Sequence, residues 1–331
     1  MHTRKLGLFT ISSLGLGCMN YSMGYGPRPT EEYSHQLLNE ALDSGYTFLD
    51  TAAMYGMGHS EEQIGKGLSH RRSEFTLASK CGIYKNAEGH TETNGRPEVL
   101  YKTCEDSLKR LNTDVIDLYY LHRIDPNIPV EESVGALARL VEQGKIRSVG
   151  LSEVSSDSLQ RAHNEYPITA LQSEYSLWSR TPERKVLDTC RELGVTFVAF
   201  SPLGRQFLTG KITDVSTLGD DNFRATIARP RFEPENFAEN AKLLIPFAEI
   251  AEQVDCTMAQ LSLAWLLAKG EDIIPIPGTS NIDHMLENAG AGDIQLSIEI
   301  VEQLDQLIND ETVKGERYSK ALMESIDSER D

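Results

Sequence analysis

Along the 331-residue chain, short apolar runs recur between longer stretches whose apolar residues fall at helical spacing. Eight runs read as strands: Leu14 to Met19, Tyr46 to Asp50, Phe75 to Lys80, Val115 to Leu121, Ile146 to Leu151, Ile168 to Ser173, Val195 to Phe200 and Ile273 to Ile276. Thr30 to Ser44, Pro97 to Leu111, Val130 to Gln143 and Glu183 to Leu193 read as helices, several with cap residues or glycine stops. Strands alternating with helices make a parallel sheet. Eight such repeats favour a closed barrel over an open doubly wound sheet, so the expected fold is α/β, a single (β/α)8 TIM barrel occupying residues 1–331. Three connections, Met19 to Thr30, Cys81 to Arg96 and Pro202 to Pro234, exceed an ordinary barrel turn and are expected to bind or cover something at the rim. Asn309 to Asp331 is a polar tail that packs as a helix, covers the rim or stays disordered; the sequence leaves all three open.

Four polar residues stand just past apolar runs: Asp50 and Tyr55 in LDTAAMYG, Lys80 after FTLAS, and His122 after the run from Val115 to Leu121. On neighbouring barrel strands they meet at the C-terminal rim, where barrel active sites lie. A phenol titrates near pH ~10 and is a reluctant acid unless a cation stabilises its phenolate. Lys80 is the available cation and is expected to lower the Tyr55 pKa. Asp50 would keep that ammonium charged and aimed, and His122 would hold a substrate oxygen. Singly, the four read as a helix cap, a core tyrosine, a surface ammonium and a satisfied histidine; jointly, at successive strand ends, they read as a site.

With these residues the chain resembles the aldo-keto reductase superfamily, whose Asp, Tyr, Lys, His tetrad maps onto Asp50, Tyr55, Lys80 and His122. Further segments recur in the family's order: GLSEVS from Gly150, ALQSEYSLWSR from Ala170, FSPLGRQFLTGK from Phe200 and IPIPGTSN from Ile274. Within the superfamily these look most like the branch that includes pyridoxal reductase-like and plant auxin-induced-protein-like members. The resemblance implies carbonyl reduction, with a hydride from a nicotinamide cofactor and a proton from Tyr55, on a small or medium aldehyde or ketone. It also implies a hairpin from Arg4 to Ser12 across the barrel floor. Aldo-keto reductase-like potassium-channel beta subunits keep the same tetrad, so a cofactor-binding regulatory subunit is the alternative expectation.

Gly15, Leu16 and Gly17 begin like a Rossmann fingerprint, but Asn20 stands where the third glycine belongs. The resemblance instead implies a nicotinamide cofactor held by rim segments. Ser152 and Gln172 would hold its carboxamide and Phe200 would lie against the ring. Ser201, Leu203, Gly204 and Arg205 look like the family's pyrophosphate segment, with Lys211 adding charge. Gly278, Thr279 and Ser280 are expected to start a helix whose free amides receive a phosphate, with Asn288 at the adenine-contacting position. Ser152 and Thr279 equally suit turns and caps. Two departures stand out. Glu153 replaces the usual carboxamide Asn, and it either accepts from the amide nitrogen or points away. The basic residues that clasp a 2′-phosphate are missing from Thr279 to Asn288, leaving His284 beside Asp283. NADP(H) is the expected cofactor, with NAD(H) left open.

Tyr21, Tyr25, Met54 and Trp178 fall in or near rim loops and are candidates for an apolar substrate pocket, or for packing under a loop. The formal charge of −18 argues against nucleic acid or an anionic membrane as partner. No apolar stretch has the length of a signal peptide or a membrane span, so the cytoplasm is the expected location. The five cysteines lack CxxC spacing and read as reduced thiols. No histidine spacing suggests a metal site and no GxSxG elbow is present. No sequence feature sets the oligomeric state.

Overall fold

The computed structural model describes residues 1–86 and 89–331. An antiparallel hairpin, β1 (Thr3–Leu6) and β2 (Phe9–Ser12), precedes eight parallel strands. These are β3 (Leu16–Gly17), β4 (Phe48–Asp50), β5 (Thr76–Cys81), β8 (Ile116–Leu121), β9 (Ile146–Ser152), β10 (Ile168–Glu174), β11 (Thr196–Phe200) and β12 (Ile273–Pro275). Between β5 and β8 lies a second hairpin, β6 (Ile83–Lys85) with β7 (Thr91–Thr93), inside the long connection that reads as loop. The parallel strands pair in chain order from β3 to β12. The ring closes where Gly15 N–H donates to Pro275 O at 2.9 Å and Gly17 N–H to Pro277 O at 3.1 Å. Gly17 is required at that seam, since a Cβ there would sit 2.8 Å from the Ile276 carbonyl oxygen. The fold is the expected (β/α)8 barrel.

Strand periodicity sorts the side chains into two cores. Phe48, Ala78, Leu118, Tyr120, Ala170, Val198 and Ile274 point inward, joined from the floor by Leu6 and Ile11 of the hairpin. Their neighbours Leu49, Leu77, Tyr119, Leu171 and Phe197 point outward under the helices. Continuing the inward parity to the strand ends delivers Asp50, Lys80, His122 and Gln172 to the C-terminal mouth.

The helices are α1 (Glu31–Asp43), α2 (His59–Leu68), α3 (Pro97–Leu111), α4 (Val130–Glu142), α5 (Ser156–Glu165), α6 (Val186–Leu193), α7 (Arg229–Phe232), α8 (Pro234–Ala241), α9 (Leu244–Gln253), α10 (Met258–Ala268), α11 (Ile282–Gly290), α12 (Ile298–Leu307) and α13 (Lys320–Ser325). Thr30, Ser155 and Asn281 cap α1, α5 and α11 with side-chain oxygens, and Thr257 with Gln260 forms a capping box on α10. The helix expected from Glu183 begins only at Val186, because Thr181–Arg184, with Pro182, forms a 3-10 turn first. No helix among the described residues is long and apolar enough to cross a membrane. The polar tail docks back on the rim, burying Arg317, Tyr318, Ile326 and Ser328.

Candidate active site

Register sets the spacing of the tetrad. Asp50 pairs with Ala78 and Lys80 with Tyr120, so Lys80 lies one pleat further toward the rim than Asp50. The turn after β4, with Gly56, Met57 and Gly58 at positive φ, folds Tyr55 back over the strand ends. The Lys80 ammonium forms a buried ion pair with Asp50, donates to Thr51 O at 2.8 Å and reaches Tyr55 Oη at 3.4 Å. Its three protons are thereby all directed. Gln172 Nε2 donates to the other Asp50 oxygen at 2.7 Å, which fixes the carboxylate. His122 stands edge-on to Tyr55, their ring centroids 5.8 Å apart.

Burial opposes the Lys80 charge, but Asp50 and Tyr55 outweigh it and hold the ammonium above its ordinary pKa. Burial pushes the Tyr55 phenol up, and Lys80 pulls it back only in part. The expected lowering is therefore not the net direction in the protein alone: the cation acts as anticipated, but desolvation of the phenolate and the nearby Asp50 charge exceed it. Burial, then Arg123 and Lys80, hold His122 well below its ordinary pKa, so its imidazole is neutral at pH 7.

Above these residues opens a cleft of about 1370 Å³ lined by Asp50, Tyr55 and His122. Every cofactor candidate except Gly204 lines it: Ser152, Gln172, Phe200, Ser201, Leu203, Arg205, Lys211, Gly278, Thr279, Ser280, His284 and Asn288. Gly204 turns at φ 55° against Trp178 instead. Tyr25 and Met54 also line the cleft. Tyr21 does not: it is fully buried below the rim, receiving a hydrogen bond from Ser60 Oγ at 3.3 Å. Trp178 is likewise absent from the lining, stacked on Phe207 at 4.0 Å with Arg231 over its ring. For these two residues the structure shows packing, the other reading the sequence left open, since packing absorbs large aromatic surfaces where a loop crosses the core.

Three other expected contacts are redirected. Arg205 donates to Glu174 at 2.9 Å and to Tyr318 Oη at 2.8 Å, so its charge is already neutralised rather than offered to a phosphate. Glu153 borders the cleft but is committed elsewhere: at φ 55° its buried carboxylate pairs with Arg317 at 2.6 Å and accepts from Ser328 at 2.7 Å. Helix α11 starts at Ile282, not at Gly278, because Asn281 is its cap and the Thr279 hydroxyl accepts from Asn281 N at 3.0 Å in the turn before it. Lys211 reaches Glu287 of α11 at 3.4 Å.

The sequence reading passed over Arg123, which lines the cleft beside His122 and donates through Nη1 to His122 O at 2.6 Å and Ser152 Oγ at 3.1 Å. It also passed over Glu174, Arg317 and Tyr318. Position alone marked Arg123, directly after a strand-end histidine; Arg317 has no local signal, since its partner Glu153 lies 164 residues earlier.

A barrel with this rim defines a class, and comparison with known proteins agrees with it. The Aldo/keto reductase family model matches residues 13–309, and the chain belongs to that family. It is 43% identical over 322 residues to the aldo-keto reductase yakc [NADP(+)] of Schizosaccharomyces pombe, covering 96% of this chain and 94% of that protein. Among solved structures, the glycerol dehydrogenase AKR11B4 of Gluconobacter oxydans superposes with a TM-score of 0.84 at 27% identity, covering 92% of this chain and 94% of that one. An aldo/keto reductase from Klebsiella pneumoniae, solved with NADP and acetate, gives 0.74 at 27% identity over 96% of this chain and 98% of that one. The protein is thus an oxidoreductase of the aldo-keto reductase family.

Proposed function

We propose that the protein reduces aldehydes or ketones to alcohols with NADPH, Tyr55 giving the proton. The observation that carries this reading is the Tyr55 hydroxyl within reach of a buried ammonium that Asp50 holds charged, at the floor of the cleft. That cleft exceeds the ~300–1,000 Å³ of ordinary small-molecule sites, which suits a dinucleotide together with a substrate. The residues present fit a nicotinamide cofactor. Ser152, whose oxygen already accepts from Arg123, keeps its hydroxyl proton to donate, and the Gln172 carbonyl accepts, so the pair complements a carboxamide. The Leu203 backbone amide and the positive dipole end of α11 are what these segments offer to phosphates, since Pro202 has no N–H and the Gly204 amide already donates to Ser201 O. Lys211, which pairs with Glu287, and His284 line the α11 side of the cleft, where a 2′-phosphate would lie. When bound, the cofactor supplies the hydride.

The chain's own residues then handle charge and proton. Tyr55 and neutral His122 donate where negative charge develops on the carbonyl oxygen. Tyr55 releases its proton as general acid, and Lys80 stabilises the phenolate left behind. Replacing Tyr55 by Phe should lower kcat by roughly 10²–10⁴-fold, the range of a lost general acid, while NADPH still quenches protein fluorescence with an unchanged Kd. A panel of aldehydes followed at the nicotinamide absorbance checks it. Turnover near normal in that variant removes Tyr55 from the role; absence of turnover by the unaltered protein on every carbonyl removes the activity.

A further inference from the structure

We infer that Arg123 selects substrates carrying a carboxylate near the reacting carbonyl, a reading that rests on the reductase activity proposed above. Arg123 follows His122 directly, at the end of β8, and its half-buried side chain lines the cleft. Both of its protein contacts run through one nitrogen: Nη1 donates to His122 O and to Ser152 Oγ. Those bonds hold the guanidinium against the tetrad and leave the edge formed by Nε and Nη2 without a protein acceptor among the described residues. That edge is a two-pronged donor matched to the two oxygens of a carboxylate.

Acidic side chains that line the same cleft are already engaged. Asp125 accepts from the backbone of Gly95 at 3.1 Å and of Asn127 at 2.9 Å. Asp327 accepts from Ser155 N at 2.8 Å, and Glu153 is held by Arg317. Among the described residues none comes within ion-pair distance of Arg123. A fixed guanidinium in no ion-pair contact, whose Nε and Nη2 edge has no protein acceptor among the described residues, is placed to receive an anionic group of the substrate. A lysine would not serve equally, since an ammonium lacks the planar fork and could not hold Ser152 and a carboxylate in one plane.

The test compares the three positional isomers of carboxybenzaldehyde with their methyl esters, which share the ring and the reacting carbonyl but lack the charge. The unaltered protein should favour at least one acid over its ester in kcat/KM by about tenfold or more, the scale of a charge-assisted bidentate contact. That preference should shrink as salt is added. Arg123→Met should bring the acid-to-ester ratio of kcat/KM down to about one, whatever it does to both substrates in common through Ser152 and His122; Arg123→Lys should restore the ratio only in part. Turnover of acids and esters with no charge preference overturns this inference alone. A Met variant whose losses follow a weakened NADPH Kd assigns Arg123 to the cofactor and also overturns it. No turnover of either aldehyde series by the unaltered protein overturns this inference; the reductase reading falls with it only if every carbonyl of the wider panel is inert as well. Should the Met variant fail to fold, the salt dependence and the Lys variant decide.

Discussion

Lys80 is the residue on which the rim's electrostatics turn, because it is buried, fully hydrogen-bonded and the only cation in contact with both Asp50 and Tyr55 among the described residues. Removing it in Lys80→Met takes away the one nearby charge that favours the Tyr55 phenolate strongly, while burial and Asp50 remain to disfavour it. The sign follows: the phenol pKa rises further, so the basic limb of the kcat/KM profile for reduction, where rate falls as the acid loses its proton, moves to higher pH. The plateau also drops, because a weaker acid gives its proton less readily. A pH profile of the variant checks both, and an unmoved basic limb would detach Lys80 from Tyr55. Breaking a buried ion pair should also cost about 3–5 kcal/mol in urea unfolding. At this scale the sequence was legible where strand parity decides: Asp50, Lys80, His122 and Gln172 all follow inward apolar residues by two positions. It was not legible for Tyr21 and Trp178, because nothing local tells an aromatic in a loop whether to face the cleft or the core beneath it.

The tail from Asn309 is an element whose place the sequence left open, and the structure assigns it to the rim. Arg317 bridges Glu153 and Glu174, at 2.6 and 3.4 Å, while Asp327 accepts from the amide and hydroxyl of Ser155 at the start of α5. Tail side chains Tyr318, Leu322 and Ile326 thereby become part of the cleft wall. Glu153, for which the sequence left open both an acceptor role toward the carboxamide and a turn away from it, is the anchor of this strap. Burial alone would raise the Glu153 carboxyl, but Arg317, then Arg123 and Ser328, outweigh it and hold it down to about 2. A depressed carboxyl stabilises above its unfolded pKa of ~4.3 and loses that contribution as pH falls toward the folded value. A shift of this size corresponds to about 3 kcal/mol, fully present near neutrality and lost between roughly pH 5 and pH 2. Glu153→Gln should therefore lower the melting temperature at pH 7 and flatten its dependence over that acid window. Differential scanning fluorimetry across pH checks this, and parallel curves for the two proteins would break the assignment.

For the whole molecule, the barrel was readable because eight buried strands leave eight apolar runs whatever the helices between them look like. Helix α10 and the β6–β7 hairpin were not, for physical reasons: α10 is buried on nearly every side, so its sequence carries no amphipathic period, and the two hairpin strands are three residues long with no buried position. What closes the far end of the barrel is also non-local. Arg4 of the floor hairpin donates at 2.6 Å to the carbonyls of Leu267, Gly270 and Ile273. Two of these oxygens belong to the end of α10 and the turn after it, where helical carbonyls lack intrahelical partners and a cation is favoured. The third lies at the start of β12, the strand that meets β3 at the seam. One guanidinium thus ties the hairpin to the last helix-to-strand connection, and the hairpin carries Leu6 and Ile11 into the barrel interior. Arg4→Met keeps much of the buried hydrocarbon but leaves those carbonyls without their charged donor. Since a hydrogen bond to a charged group contributes about 1.5–3 kcal/mol and the sites are partly re-hydrated on loss, the expected cost is about 2–4 kcal/mol. The proposed site lies at the opposite end of the strands, so kcat/KM per folded molecule should stay within about twofold. Urea midpoints with activity measured well below the transition separate the two quantities. A variant of normal stability would make Arg4 a spectator, whereas a fall in kcat/KM of the folded protein would mean that the floor of the barrel communicates with its rim.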